Sequence, residues 1–333
     1  MHTSSPASPA SPVSSPVTAP IAADMAAVDA VIRARLISEV VLIGQIADYI
    51  IAAGGKRLRP ALLLLVAGAL GYTGPKAHEL AAVVELIHTA TLLHDDVVDE
   101  SDLRRGRKTA NAMFGNAASV LVGDFLYSRA FQMMVGVGNM LVMEVLSEAT
   151  NVIAEGEVLQ LMNVGDANVS EERYLRVIRY KTAKLFEASG RLGAIVADAP
   201  PAVQQQMAEF GIRLGTAFQL IDDVLDYTGN AGDTGKNVGD DLGEGKPTLP
   251  LIYVLTHGTA AQQAVARCAI TKPGEVPFTA VFDAIEASGA LEYARRAARA
   301  EADLAASLAA TLPPSRYRET LLQLCVVAIE RKS

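Results

Sequence analysis

The stretch LLHDDVVDE (Leu92–Glu100) decides the fold, because it places three aspartates at the end of a long apolar run. The same Asp-Asp-x-x-Asp spacing returns in DDVLD (Asp222–Asp226), again after an apolar run. Residues four apart share one face of an α-helix, so the first and last aspartates of each group project together. The sequence therefore predicts two acid-tipped helices that face each other across a cavity.

The composition favours a helical protein. Half of the 333 residues are hydrophobic but only 5% are aromatic, which suits packed helices better than a sandwich or a barrel. The formal net charge is −8, so the basic footprint of a nucleic-acid-binding protein is missing. Cys268 and Cys325 are the only cysteines. No disulfide framework is predicted, and a reducing cytoplasm is the expected location.

Residues 1–21 are predicted to be a disordered tail, and residues 22–333 to form a single helical domain. The first 20 residues are rich in Ser, Pro and Ala and contain no Lys or Arg, so they do not resemble a secretory signal. The longest apolar run, Ala61 to Leu70, is shorter than the roughly 18–20 residues that span a bilayer.

Three-and-four spacing of apolar residues predicts long helices with no convincing strand. The helix before the first aspartates is apolar nearly all round from Leu80 to Leu93, which indicates burial on every side. Ser170 is a plausible N-cap. Residues 101–108 are expected to form a charged loop and residues 229–246 a long one. Helices are predicted at about 22–53, 61–70, 76–99, 117–136, 138–163, 170–197 and 202–228, with further helices within 248–332.

The two aspartate groups are locally unfavourable, because acids at a helix C-terminus meet the negative end of the dipole and also repel each other. Bound cations would relieve this. Carboxylates without Cys suit Mg²⁺, which takes one or two carboxylates and leaves other positions to water and phosphate. Solvated helix ends are the alternative for either group alone. The spacing of an EF-hand calcium loop is absent.

Basic residues stand where phosphate contacts would be expected. GGKRLRP (Gly54–Pro60) precedes a predicted helix, and helix N-termini attract anions. Arg104 and Arg105 follow the first aspartates, and Arg is a natural bidentate phosphate ligand. A solvated basic turn is the alternative for each segment. Further polar groups lie on or beside apolar helices: Lys181, Thr182, Gln219, Lys236 and Lys246.

With these motifs in this order, the chain resembles the trans-isoprenyl diphosphate synthases, and within them the long-chain, octaprenyl-type enzymes. The resemblance covers about residues 25–332. Besides the two aspartate groups, it rests on Gly54–Pro60, Arg104–Gly106, Val122–Asp124, Glu155–Glu157, Lys181–Thr182, Phe218–Gln219, Gly235–Asn237, Asp240–Asp241 and Gly245–Thr248.

The resemblance implies an all-α bundle of long, mostly antiparallel helices around a deep central cavity, usually a homodimer. It implies head-to-tail condensation of isopentenyl diphosphate with an allylic diphosphate, expected to be farnesyl diphosphate, to build a quinone side chain. Mg²⁺, three ions per site, would be the cofactor. The product would be passed to a membrane, although no transmembrane segment is expected.

The same resemblance assigns roles to residues. The metal would be held by Asp95, Asp99, Asp222 and Asp226, and the catalytic set would be Asp95, Asp96, Asp99, Lys181, Asp222 and Asp223. Isopentenyl diphosphate would bind Lys56, Arg59, His88 and Arg105. The allylic diphosphate would bind Arg104, Lys181, Thr182, Gln219, Lys236 and Lys246.

The expected product length is inferred from the size of the side chains that would line the cavity. Ala90 and Thr91 lie just before the first aspartates and are small, so they should not stop a growing chain, whereas an aromatic residue there would. Phe131, Met133 and Met134 on the next long helix are candidates for a deeper floor. Ordinary core packing is the alternative for each of these three.

Other functions remain as alternatives. A shorter-chain, geranylgeranyl-type synthase would use the same motifs. A terpene cyclase would share the aspartates but would not need the Gly54–Pro60 segment, and aromatic cavity walls would be expected. A non-catalytic subunit of a heteromeric synthase should have lost one aspartate group or the basic motifs, and this chain keeps both. A metal- or phosphate-binding module would not need two acid-tipped apolar helices.

Overall fold

The computed structural model describes residues 19–52, 54–104, 106–229 and 239–331, which are helical almost throughout and so confirm the all-α prediction. Most of the predicted tail, residues 1–18, lies outside the described residues, and the proposed domain boundary stays a prediction. A short 3₁₀ turn (Ala19–Ile21) leads into the first helix. In the described part of the chain, no helix is long and apolar enough to cross a membrane.

The described part of the chain contains sixteen α-helices. In chain order they are α1 (Ala22–Arg35), α2 (Val41–Ala52), α3 (Leu58–Ala69), α4 (Pro75–Val98), α5 (Ala110–Phe114), α6 (Asn116–Val137), α7 (Met140–Asn163), α8 (Glu171–Ile178), α9 (Lys184–Val196), α10 (Pro201–Thr228), α11 (Asp240–Gly243), α12 (Leu249–His257), α13 (Ala260–Thr271), α14 (Phe278–Ser288), α15 (Ala290–Ala309) and α16 (Arg316–Ile329).

Several predicted boundaries were wrong. The helix expected over 61–70 already begins at Leu58, and the loop expected over 229–246 contains the short helix α11. The helix expected over 22–53 is interrupted, and the structure has two helices there, α1 and α2. There the Ser38 hydroxyl accepts a hydrogen bond from the Val40 amide (3.2 Å), a local bond that competes with helix. The loop expected over 101–108 contains a short antiparallel hairpin, β1 (Leu103–Arg104) and β2 (Arg107–Lys108). Gly106, at φ +71°, supplies the left-handed residue that the turn needs.

The helix expected over 170–197 begins as predicted but does not continue regularly. The Ser170 hydroxyl caps α8 by accepting from the Arg173 amide (3.2 Å). A π-helical turn (Arg179–Ala183) then separates α8 from α9. A π turn inserts one extra residue into the helix and so turns the residues around it toward new directions.

The core has two parts that are joined by α10. In the first, α3 is buried from Pro60 to Ala69, and most of α4 between Leu80 and Leu93 is buried as well, which confirms the prediction for that helix. The second part packs α8 and α11 to α15 against the C-terminal half of α10. With 28 residues, α10 is about 42 Å long, so it reaches from one part into the other and presents its aspartates between them.

Candidate active site

The first aspartate group lies at the end of α4. Asp95 and Asp96 belong to its last turn, and Asp99 directly follows it. Asp96 is only 4% exposed, and Arg104 of β1 donates to its Oδ1 through Nε (2.8 Å) and Nη2 (2.7 Å). Burial raises the pKa of Asp96, although the Arg104 guanidinium opposes the rise. Asp96 is therefore braced by Arg104, whereas Asp95 and Asp99 are half-buried and closer to solvent.

Lys181 joins the π turn to this group. Its Nζ lies 2.5 Å from Glu157 Oε2, 2.7 Å from Gln160 Oε1 and 3.5 Å from Asp95 Oδ2. Burial lowers the pKa of Lys181, but the attraction of Asp95 and Glu157 outweighs it and the net pKa is raised. Burial, together with repulsion by Asp95, raises the pKa of Glu157 to about 7. The ammonium thus holds two neighbouring carboxylates of a partly desolvated site together.

Gly156 allows this contact to form. A Cβ at this position would lie 2.6 Å from the backbone nitrogen of Lys181 and 2.9 Å from the Tyr180 Cβ. Such distances are too short for packed atoms, so only glycine lets α7 approach the π turn this closely. The close approach places Glu157, the next residue on α7, against the Lys181 ammonium.

The second aspartate group contains the most buried acid of the site. Asp223 accepts hydrogen bonds from Tyr174 Oη (2.5 Å) and Gln219 Nε2 (2.8 Å), and Thr182 donates to Gln219 Oε1 (3.0 Å). Burial, followed by repulsion from Asp241, raises the pKa of Asp223 to about 8. These bonds fix the end of α10 against the π turn.

Asp222 contacts a residue from the far end of the chain. Arg331, just beyond α16, donates from Nη2 to Asp222 Oδ1 (3.0 Å), and its side chain is only 9% exposed. The guanidinium carbon lies 4.0 Å from the centroid of the Phe218 ring. Asp226 is half-buried one turn further along α10, and its carbonyl accepts from the Gly239 amide (2.8 Å).

Lys246 connects the two halves of the site. Its Nζ lies 3.1 Å from Asp99 Oδ2 and also contacts Glu244. Burial lowers the pKa of Lys246, but the nearby carboxylates, with Asp241 first among them, raise it overall. A cleft of about 560 Å³ opens beside Lys181, Asp223 and Lys246. Its polar lining includes Gln160, Tyr174, Lys181, Thr182, Gln219, Asp223, Asp241 and Lys246.

The basic segment Gly54–Pro60, which runs into the first turn of α3, borders a second cleft, of about 520 Å³, which Gly54 and His88 help to line. Arg59 Nη1 lies 3.2 Å from His88 Nε2, and its guanidinium carbon lies 4.5 Å from the centroid of the Phe186 ring. Lys56 is exposed. The structure thus brings Arg59 and His88 together, as the motif spacing alone could not show. Arg105 and Lys236 lie outside the described residues.

The predicted chain-length residues lie around α4 and α6. Ala90 is completely buried, and Met133 and Met134 are also buried. Thr91 is half-buried and its hydroxyl donates to the His88 carbonyl (2.8 Å). Phe131 is half-buried and stacks on Tyr127 at a centroid distance of 5.9 Å. The linings of the two clefts do not include these residues, so their role in product length stays a prediction.

The acids of the site are bound to cationic side chains. Among the described residues, no three His, Cys, Asp or Glu side chains lie close enough together to form a metal centre by themselves. Instead, Lys181, Lys246 and Arg331 each place a positive charge on an aspartate. Carboxylate oxygens that need positive charge, with no nitrogen or sulfur donors among them, match the ligand preference of Mg²⁺.

Several residues of the site were not identified from the sequence. Glu157 stands in the Glu155–Glu157 motif and Asp241 in the Asp240–Asp241 motif, so the resemblance could have assigned them roles. Tyr174 and Arg331 carry no local signal, because each reaches its aspartate from a distant part of the chain. The residues that only the structure brings into the site are Glu157, Gln160, Tyr174, Asp241, Glu244 and Arg331.

Comparison with known proteins was made on both sequence and structure. A family model described as "Polyprenyl synthetase" matches residues 40–278. The octaprenyl diphosphate synthase of Escherichia coli (strain K12) is 54% identical over 305 residues, which cover 91% of this chain and 94% of that protein. The all-trans-nonaprenyl-diphosphate synthase (geranyl-diphosphate specific) of Rhodobacter capsulatus is 45% identical, covering 91% and 94%.

Solved structures agree with this result. A polyprenyl synthase from Caulobacter crescentus CB15, complexed with calcium and isoprenyl diphosphate, matches with a TM-score of 0.92 and 44% identity, covering 95% of this chain and 97% of that one. A decaprenyl diphosphate synthase from Rhodobacter capsulatus matches with a TM-score of 0.90 and 46% identity, covering 95% and 98%.

Proposed function

The chain belongs to the polyprenyl synthetase family, and we propose that it condenses isopentenyl diphosphate with an allylic diphosphate to make a long, all-trans polyprenyl diphosphate of octaprenyl size. The observation that carries the proposal is a pair of half-buried ammonium groups, Lys181 on Asp95 and Lys246 on Asp99. Both lysines also line one cleft with Asp223 of the second aspartate group. The 54% identity to an octaprenyl diphosphate synthase supports the product size and its use in a quinone side chain.

Mg²⁺, three ions per site, is the proposed cofactor, held by Asp95, Asp99, Asp222 and Asp226. The fit rests on the donors, which are all carboxylates; those of Asp95, Asp99 and Asp222 are now bound to ammonium or guanidinium groups. Mg²⁺ usually takes only one or two carboxylates and completes its coordination shell with water and phosphate. A site in which the protein supplies only part of the coordination shell therefore suits it. When bound, the ions neutralise the charge that develops on the leaving diphosphate.

The allylic diphosphate is proposed to lie in the cleft that Lys181, Asp223 and Lys246 line. Lys181 and Lys246 are already partly desolvated there, and their raised pKa values keep both ammonium groups charged at neutral pH. Charged donors held in place are worth most where water is excluded. The proposed contacts are Arg104, Lys181, Thr182, Gln219, Lys236 and Lys246.

Isopentenyl diphosphate is proposed to bind at the start of α3, through Lys56 and Arg59 together with His88 and Arg105. The contact between Arg59 and His88 supports this, because it joins the segment to the same face of α4 that leads to Asp95. The carbocation formed by loss of diphosphate must be kept from water. The apolar residues of α4 would provide that shelter, and the small Ala90 and Thr91 would let the product grow past them.

We also propose that the protein works as a homodimer in the cytoplasm. The outer faces of α6 and α7 support the dimer, because they leave large apolar side chains in solvent on neighbouring helices. These are Val120, Leu121, Val135, Met140, Val158, Leu161 and Met162.

The direct test is a product analysis. The purified protein is incubated with Mg²⁺, isopentenyl diphosphate and labelled farnesyl diphosphate, and the dephosphorylated products are sized. We expect a ladder that ends at eight isoprene units and is abolished by Asp95→Ala. Absence of elongation would reject the proposal, whereas an end at nine or ten units would change the product but keep the reaction.

A further inference from the structure

Arg57 is the residue of the basic segment that no role so far accounts for. It directly precedes α3 and has a left-handed backbone, with φ +48° and ψ +39°. Among the described residues only Glu100 and Asp198 share a positive φ without being glycine. A bulky side chain is sterically disfavoured in this region, so the surrounding structure must hold it there.

Two carboxylates from different helices hold Arg57. Its Nη1 lies 2.8 Å from Asp29 Oδ1 of α1, and its Nε lies 3.5 Å from Glu85 Oε1 of α4. The side chains of Arg57 and Glu85 are each only 15% exposed. A planar guanidinium can bind two acids in different directions at once, which a lysine ammonium on a flexible stem does less well. We call this arrangement the Asp29–Arg57–Glu85 bridge.

The bridge is attached to the residues proposed to bind isopentenyl diphosphate. Arg57 stands between Lys56 and Arg59 in the chain. Glu85 lies three residues before His88, so both project from one side of α4, and His88 is the residue that contacts Arg59. Arg57, Glu85 and His88 also line the same cleft.

We propose that Arg57 is a positioning residue, and that the Asp29–Arg57–Glu85 bridge fixes the basic segment so that Lys56 and Arg59 are presented to the diphosphate of isopentenyl diphosphate. This inference rests on the proposed function of the site. Arg57 does not bind the diphosphate itself, because its guanidinium is occupied by the two carboxylates. The left-handed backbone accompanies a side chain that reaches both α1 and α4.

The test compares variants of the full chain. Arg57→Lys keeps the charge but cannot span both acids, and Arg57→Gly accepts the left-handed backbone but loses the bridge. We expect each to raise the Kd for isopentenyl diphosphate alone, measured by calorimetry, and its KM by about 10-fold, because small misplacements of binding groups are costly. The KM for the allylic substrate should stay within about twofold, since its cleft is separate.

Glu85→Gln separates positioning from direct contact. If the bridge positions the segment, this variant should also weaken isopentenyl diphosphate binding by about 5- to 10-fold. If Arg57 were itself a phosphate ligand, releasing it from Glu85 would leave binding unchanged or tighten it. Arg213→Lys is the matched control, since Arg213 also binds two acids, Glu209 (2.7 Å) and Glu301 (3.0 Å), on a distant surface.

The outcomes are distinct. Wild-type affinity in Arg57→Gly would show that the backbone alone matters and would overturn the inference, as would wild-type or tighter binding in Glu85→Gln. An equal change in the KM of both substrates would mean general destabilisation and would also overturn it. A wild-type protein that neither binds isopentenyl diphosphate nor elongates would reject the proposed function. Normal elongation with unchanged variants would reject only the bridge.

Discussion

Replacing Glu157 by Gln is expected to stabilise the metal-free protein, and to do so more at pH 8 than at pH 5. Burial and the neighbouring Asp95 raise the pKa of Glu157 from 4.5 to about 7 in the folded state. The ionised side chain is therefore less favourable in the folded protein than in the unfolded chain. Gln has no charge to bury, and its amide oxygen can still accept a hydrogen bond from Lys181.

The sign and size follow from proton linkage. Below pH 4.5 both states of the wild type hold the proton and Glu157 contributes nothing. As the pH rises, the unfolded chain ionises first, and stability is lost until the folded carboxyl ionises near pH 7. The loss corresponds to roughly 1 kcal/mol at pH 5 and about 3 kcal/mol at pH 8. For a chain of 333 residues that is a gain in Tm of about 1 °C at pH 5 and about 4 °C at pH 8.

Thermal unfolding in excess EDTA, between pH 5 and pH 8, measures this difference. Glu155→Gln is the control, because Glu155 is exposed on the same helix and accepts a hydrogen bond from Asn151 (3.1 Å). The Tm of this variant should follow that of the wild type at every pH. The reasoning would be refuted if Glu157→Gln were no more stable than the wild type at pH 8. A gain that did not grow with pH would refute it equally.

Three further substitutions test other parts of the site. Gly156→Ala should lower the free energy of unfolding in urea by about 2 kcal/mol, because the new Cβ would lie 2.6 Å from a backbone nitrogen of the π turn. The control Gly136→Ala, which has open space around it, should be neutral or stabilising by up to about 1 kcal/mol. Equal effects of the two substitutions would contradict the packing argument. Ala90→Tyr should shorten the product, and an unchanged product distribution would reject the role of a small wall residue. Arg331→Gln should lower the Tm in EDTA by about 2 °C, because the guanidinium contact with the Phe218 ring is lost. It should also tighten Mn²⁺ binding by about threefold, because a guanidinium no longer competes for Asp222. Unchanged Mn²⁺ affinity would count against that competition.

The sequence was sufficient wherever the signal was local. The apolar surround of α4 predicted a buried helix, and the Asp95–Asp99 and Asp222–Asp226 spacing predicted acids on one face, because helical periodicity depends only on near neighbours. Helix interruptions were harder to predict. The apolar spacing continues across the break between α1 and α2, and a π turn changes the register at Lys181 without changing the composition.

Pairing across the site was decided by tertiary packing. Tyr174 and Asp223 are 49 residues apart, and Arg331 and Asp222 are 109 residues apart. No pattern in either segment names its partner, because such contacts form only when distant helices pack. The same holds for the bridge from Asp29 through Arg57 to Glu85.

By itself, the sequence determined that this protein is a helical bundle with two acidic helix ends and with basic residues of the opposite charge. Residue type and spacing were enough for this, because they set the local structure and the sign of the available charges. Only the tertiary structure decided which cation lies on which acid. Tertiary packing also sets how deeply each acid is buried. Burial, rather than residue type, is the main reason that the pKa of Glu157 rises to about 7 and that of Asp223 to about 8.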